Sequence, residues 1–171
     1  MSALPENDQA LSAEACRRID LETAKYPPQQ KRSAVVAALA IAQEELGWLP
    51  TWAIEAVASY LDMPPIAAYE VATFYAMFDL KPPGRFKLTL CTNLPCALSG
   101  ATRAAAHLKS KLGVDFGQTT SDRLFTLKQG ECFGACGDAP VLLLNNKRMC
   151  SFMSDDRLDK LLDELRLERD R

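Results

Sequence analysis

Histidine is nearly missing from this chain. His107 stands alone among 171 residues, so a centre that needs a pair of imidazole ligands, such as a Rieske cluster or a two-His zinc finger, cannot be assembled within it. Net charge is missing too: 20 Lys and Arg against 22 Asp and Glu leave a formal charge of −2, too balanced to mark a nucleic-acid or membrane-surface binder. No stretch approaches the ~18 consecutive apolar residues of a membrane span, which predicts a chain that is soluble by itself with no direct membrane insertion. The start, Met1 to Ala10, has no basic segment leading into an apolar one, so nothing directs the chain to a disulfide-permissive compartment. Gly-rich phosphate loops are absent and no Ser or Cys has a nucleophile's setting, so the reading assigns no catalytic residue and no NADH or ATP site.

What is present is a 48% apolar composition, enough for a real core, and six cysteines that need an explanation other than disulfides. Residues 1–80 read as a helical bundle. Ser12 caps a helix running to about Lys25, and Tyr26-Pro27-Pro28 stops it. A second helix, Lys31 to Leu46, aligns Val35, Leu39, Ala42 and Leu46 before Gly47. Thr51 caps a third, with Ile54, Val57, Ala58 and Leu61 on one stripe, and Pro65 starts a fourth that carries Ile66, Tyr69 and Val71 towards Phe74 and Tyr75. Phe74, Tyr75 and Phe78 read as core or interface anchors.

Lys81-Pro82-Pro83-Gly84 ends that pattern, and residues 81–171 form the second expected domain. Arg85 to Cys91 and Arg123 to Lys128 alternate as strands around a helix from Ser99 to Leu112, a βαβ unit. Pro140 to Leu144 and Lys147 to Cys150 make a hairpin across Asn145-Asn146, and a helix from Ser154 carries Leu158, Leu161, Leu162 and Leu165 on one face. The fold class is α/β: an N-terminal helical bundle, then a small mixed sheet of the thioredoxin-like kind with helices on its faces. Glu168 to Arg171 reads as a frayed, solvated end.

Four cysteines fall in two clusters, Cys91-x₄-Cys96 and Cys132-x₃-Cys136, each placed in a loop after a strand. Parallel strands point the same way, so both loops leave one sheet edge and four thiolates can converge. The spacing does not match C-x₂-C zinc ribbons, the compact run of bacterial [4Fe–4S] sites, or the plant-type [2Fe–2S] pattern. A [2Fe–2S] cluster with two thiolates on each iron suits two separate pairs; thiolate softness alone leaves zinc open. Gly130, Gly134 and Gly137 around the second pair would let backbone amides approach sulfur. Lys128 and Arg103 are cations nearby along the chain. Cys16, Cys150 and His107 read as structural. A thioredoxin-type thiol protein is disfavoured, since neither pair is C-x-x-C.

With Glu131-Cys132-x-Gly134-x-Cys136, Ala139-Pro140, Gly47-Trp48-Leu49-Pro50, Val71-Ala72-Thr73-Phe74-Tyr75, Pro83-Gly84-Arg85 and Gly117-Gln118-Thr119-Thr120, the chain resembles the thioredoxin-like [2Fe–2S] subunits of NADH:quinone oxidoreductase, respiratory complex I, over roughly residues 30 to 165. Related subunits occur in NAD-dependent formate dehydrogenases and hydrogenases. The resemblance implies Cys91, Cys96, Cys132 and Cys136 as ligands of one [2Fe–2S] cluster. It also implies a flavoprotein partner carrying FMN and the NADH site, together with the other iron–sulfur subunits of the peripheral arm. The electron-transfer subunit would then sit on the cytoplasmic face of the membrane through its complex, with the helical bundle embracing the neighbour.

Overall fold

The computed structural model describes residues 10–169, the Arg169 side chain excepted. Residues 1–9 of the chain's start, and Asp170 and Arg171 of the charged end, lie outside the described residues. The chain divides into two compact units, 1–82 and 83–171.

The first unit is helical. Helix α1 spans Ala13–Thr23, and Ser12 Oγ accepts from the Ala15 amide at 3.0 Å, satisfying one of the donors a helix start leaves free. The second helix does not begin at Lys31. Pro27 and Pro28 admit only a 3₁₀ stretch, Pro28–Ala34, before α2, Val35–Leu46, which Gly47 closes with φ +80°. Helix α3 covers Thr51–Tyr60; Pro50 rather than Thr51 occupies the cap position and no side chain caps it. Helix α4 runs Pro65–Phe74. The core gathers Ile19, Leu39, Ile54, Val57, Leu61 and Phe78. Gln43 ties the following segment to α2: its Nε2 donates to the Met77 carbonyl at 3.0 Å and its Oε1 accepts from the Asp79 amide at 2.6 Å. In α4 the small Ala68 and Ala72 face inward, whereas Ile66 and Phe74 are 65% and 81% exposed. Phe78 is therefore a core residue and Phe74 is not.

The second unit is a five-stranded mixed sheet in the order β2-β3-β1-β4-β5. Its strands are β1 Phe86–Cys91, β2 Gln118–Thr119, β3 Phe125–Gly130, β4 Leu142–Leu144 and β5 Arg148–Cys150. β1 and β3 pair in parallel across α5, Thr102–Leu112, the expected βαβ unit; the remaining pairings are antiparallel. β3 begins two residues later than the alternation suggests, and β2 has no counterpart in the pattern. Asn145 and Asn146 take φ +50° and +57°, the turn between β4 and β5.

Alternation along β1 sends Phe86, Leu88 and Leu90 into a core with Leu127 and Leu142, against Leu108 of α5. Helix α6, Asp155–Arg169, closes that core with Leu158, Leu161, Leu162 and Leu165, each at most 4% exposed. A leucine so buried contributes about 1.5–3 kcal/mol over an exposed one. The same alternation leaves Lys87, Thr89 and Cys91 on the other side of β1, also buried.

Candidate metal centre

In the parallel register Cys91 stands opposite Gly130 as the last residue pair of β1 and β3. Both chain segments therefore leave the sheet at one edge and at one level. Cys91 is itself the end of the strand; its amide donates to the Val141 carbonyl at 3.1 Å. Cys96 closes a short helical turn, Leu94–Cys96, which Pro95 preorganises. So the first pair is not on a free loop: both of its residues are 1% exposed. A π-helical turn, Ala97–Ala101, carries the chain on into α5, a local departure common beside functional sites.

Cys132 follows β3 by two residues, and Cys136 opens a 3₁₀ turn, Cys136–Asp138; both are exposed, with their sulfurs 4.0 Å apart. Gly134 turns the chain back at φ +73°, a conformation that costs a residue with a Cβ, and its amide donates to Cys132 Sγ at 3.4 Å. Cys91, Cys96, Ala101 and Val141 form a small buried cluster, with Phe133, Ala135 and Ala139 packed on it.

The thiols influence one another across the pairs. Burial pushes the Cys96 thiol up, Cys91 and Cys136 push it further, and a backbone hydrogen bond with Val141 opposes them. Cys136 is raised first by its hydrogen bond with Cys132, and Cys91 adds to the rise. Four thiolates gathered this way repel, and a cationic centre is what makes them stable together. Neither cation singled out along the chain is free for that purpose: Arg103 Nη2 lies 2.7 Å from Asp155, and Lys128 has a partner of its own.

The donor set bears on the kind of centre. Among the described residues, no three His, Cys, Asp or Glu side chains gather where a single ion could take them all. A mononuclear zinc site needs four ligands at one point, whereas each iron of a [2Fe–2S] unit needs two thiolates, its bridging sulfides supplying the rest. A donor set of two cysteine pairs suits the second. When bound, such a cluster accepts and returns one electron at a time.

The other sequence candidates fall outside this centre. Cys150 is buried among the leucines of the sheet core, where burial raises its thiol, and Cys16 belongs to α1. His107 Nε2 meets Asp159 Oδ1 at 2.7 Å, a tie between α5 and α6. Val141 and Phe133 escape a reading by sequence. Their signals are a β-branched residue directly after Ala139-Pro140 and an aromatic between two cysteines, but spacing arguments treat both as filler.

A profile of the thioredoxin-like [2Fe–2S] ferredoxin family matches residues 19–166. A protein from Rickettsia felis, named as one of the subunits of NADH-quinone oxidoreductase, is 45% identical over 141 residues, covering 82% of this chain and 84% of that one. Its namesake from Rhizobium meliloti is 43% identical over 148 residues, 86% of each chain. Among solved structures, an air-oxidized NAD+-reducing [NiFe]-hydrogenase superposes with a TM-score of 0.67 at 24% identity over 79% of this chain. This chain spans only 23% of that hydrogenase chain, and the likeness shows the fold alone. Family profile, extended identity and paired thiols agree: the chain belongs to the thioredoxin-like [2Fe–2S] ferredoxin family, and its cofactor is a [2Fe–2S] cluster.

Proposed function

We propose that this chain is the [2Fe–2S] electron-transfer subunit of an NADH-quinone oxidoreductase, with Cys91, Cys96, Cys132 and Cys136 holding the cluster. It would exchange single electrons with the FMN of a neighbouring flavoprotein and carry no catalytic residue of its own. One observation carries the reading: the parallel register sets Cys91 beside Gly130, two residues before Cys132, which supports a meeting of the two pairs at one sheet edge. The names and 43–45% identity of the relatives support the quinone-linked complex over a formate dehydrogenase or hydrogenase.

The residues divide the work. Cys91 and Cys96 form a buried wall, and Cys132 and Cys136 form the side open to solvent, through which a redox partner would reach the centre. The helical unit would supply docking surface, with Ile66, Tyr69, Phe74 and Tyr75 exposed on or beside α4. No described helix is long and apolar enough to cross a membrane. The chain would reach the cytoplasmic membrane face only through its flavoprotein and the other iron–sulfur subunits of the peripheral arm.

The test is an anaerobic visible spectrum and low-temperature EPR on the purified chain before and after dithionite, with iron, sulfide and zinc counted. Two irons and two sulfides per chain, with an S = 1/2 signal only after reduction, are expected; stoichiometric zinc without colour would overturn the reading. For docking, deletion of residues 1–80 should abolish capture of the FMN flavoprotein, and undiminished capture would refute that role.

A further inference from the structure

The segment that carries the exposed cysteines is tied down at its two ends. At the near end the Gly130 carbonyl accepts from the Thr92 amide at 3.3 Å. At the far end the Asp138 carbonyl accepts from the Phe152 amide at 2.8 Å, and its carboxylate accepts from Ser151 Oγ at 2.9 Å. Between these ties run Glu131-Cys132-Phe133-Gly134-Ala135-Cys136-Gly137, in which Phe133 is the one large apolar side chain.

Its ring lies against the backbone of Gly130. A Cβ at that glycine would stand 2.5 Å from Phe133 Cζ and 3.1 Å from Cε1, with the Thr89 methyl 2.8 Å away on another side. The 2.5 and 2.8 Å approaches are closer than real Cβ atoms come, so a side chain at residue 130 would push the ring or the Thr89 methyl aside, and its absence lets the ring sit there. The ring also packs on the buried cluster that contains Cys91 and Cys96. One side chain, set directly between the two exposed ligand candidates in sequence, thus packs on the last residue of β3 and on the buried cluster to which Cys91 and Cys96 belong.

We propose that Phe133 is a positioning residue that pins the exposed pair, Cys132 and Cys136, onto the buried pair and keeps water off the inner face of the cluster. The proposal rests on the four-cysteine assignment made above. Its physical content is a sign. Two ferric ions, two sulfides and four thiolates carry two negative charges and reduction adds a third, so excluding water favours the oxidised form. Removing the ring admits water and loosens one pair; the potential rises and the cluster is lost more readily.

The experiment uses the full-length, cluster-loaded chain. EPR-monitored redox titration and the rate of bleaching by a ferrous chelator are compared for wild type, Phe133→Ala, Phe133→Leu and Phe133→Gln, with Cys132→Ser and Cys136→Ser alongside. Phe133→Ala should raise the reduced-to-oxidised ratio at a fixed ambient potential about tenfold, an upward shift of ~59 mV for one electron. Bleaching should run about 10–100-fold faster, the range typical of lost outer-shell support. Phe133→Leu should restore both values and Phe133→Gln, of similar size but polar, should not, which keeps the test alive if the alanine variant fails to hold cluster. Gly130→Ala should mimic Phe133→Ala, and its effect should shrink in the Phe133→Ala background, because the ring it displaces is already gone. A wild-type potential and bleaching rate in both Phe133→Ala and Phe133→Gln would overturn the proposal. If instead the cysteine variants keep a wild-type cluster, it is the ligand assignment that falls.

Discussion

The two cysteine pairs are chemically the same and physically opposite. Cys91 and Cys96 belong to the fold: one is the last residue of the central strand, the other closes a proline-initiated turn, and both are buried. Cys132 and Cys136 belong to a small-residue segment at the surface, exposed and shaped by a glycine at positive φ. With the four cysteines as the proposed ligands, the difference teaches that one half of the centre would belong to the packed fold and the other to a surface segment. Cys91 is held within its strand and Cys96 within a helical turn, whereas the exposed pair stands where solvent has access.

The largest effect that could break this comparison is loss of the cluster itself. Serine in place of Cys91, Cys96, Cys132 or Cys136 should remove most visible absorbance and bound iron, while Cys16→Ser and Cys150→Ser keep both. Retained colour in Cys132→Ser, or lost colour in Cys150→Ser, would show that the pairs are not the ligands. The next effect concerns access. In the chelator-treated chain, iodoacetamide should modify Cys132 about tenfold or more faster than Cys96, because a buried thiol labels only after local opening and burial also keeps it protonated. Peptide mass spectrometry over a time course measures this, and equal rates would mean that the buried half does not pre-form.

Much of this contrast is invisible in the sequence. Spacing announces two pairs after two strands, because parallel β1 and β3 must deliver their C-terminal ends to one edge. The leucine stripe of α6 is equally plain, since four apolar residues at i, i+3, i+4 and i+7 have one face to bury. Which pair is buried is not legible, for a cysteine reads alike in a strand end and a loop. Strand β2 holds two residues, too few for any period, and the π-turn before α5 has no signature beyond Gly100. In α4, hydrophobicity points to Ile66 and Tyr69, yet close helix packing selects Ala68 and Ala72 instead.

The comparison also predicts unequal costs in the absence of metal. Cys91→Ser places a hydroxyl in an apolar pocket and should destabilise the apo chain by ~1–3 kcal/mol. Cys132→Ser, on an exposed segment, should stay within ~0.5 kcal/mol. Urea unfolding of the two apo variants decides this; equal losses would place both pairs in comparable surroundings.

The smallest effect tests how the buried half is braced. Helix α5, which continues the chain beyond Cys96, is tied to α6 by Asp159, which accepts from Lys111 Nζ at 3.0 Å and meets His107 at 2.7 Å. The hydrogen bond to His107 chiefly, then that to Lys111, holds the Asp159 carboxyl below its ordinary range. A carboxyl lowered in the folded state binds fewer protons there than in the unfolded chain. Its stabilisation is therefore complete above the unfolded value and disappears as pH falls through the folded one. Asp159→Asn should accordingly melt slightly below wild type near neutrality, and the two curves of Tm against pH should converge in acid, beneath the ordinary carboxylate range. The exposed pair has no part in this tie, so Cys132 labelling should not respond to the substitution. An acceleration of that labelling would mean that the two halves of the centre are held by one network rather than two.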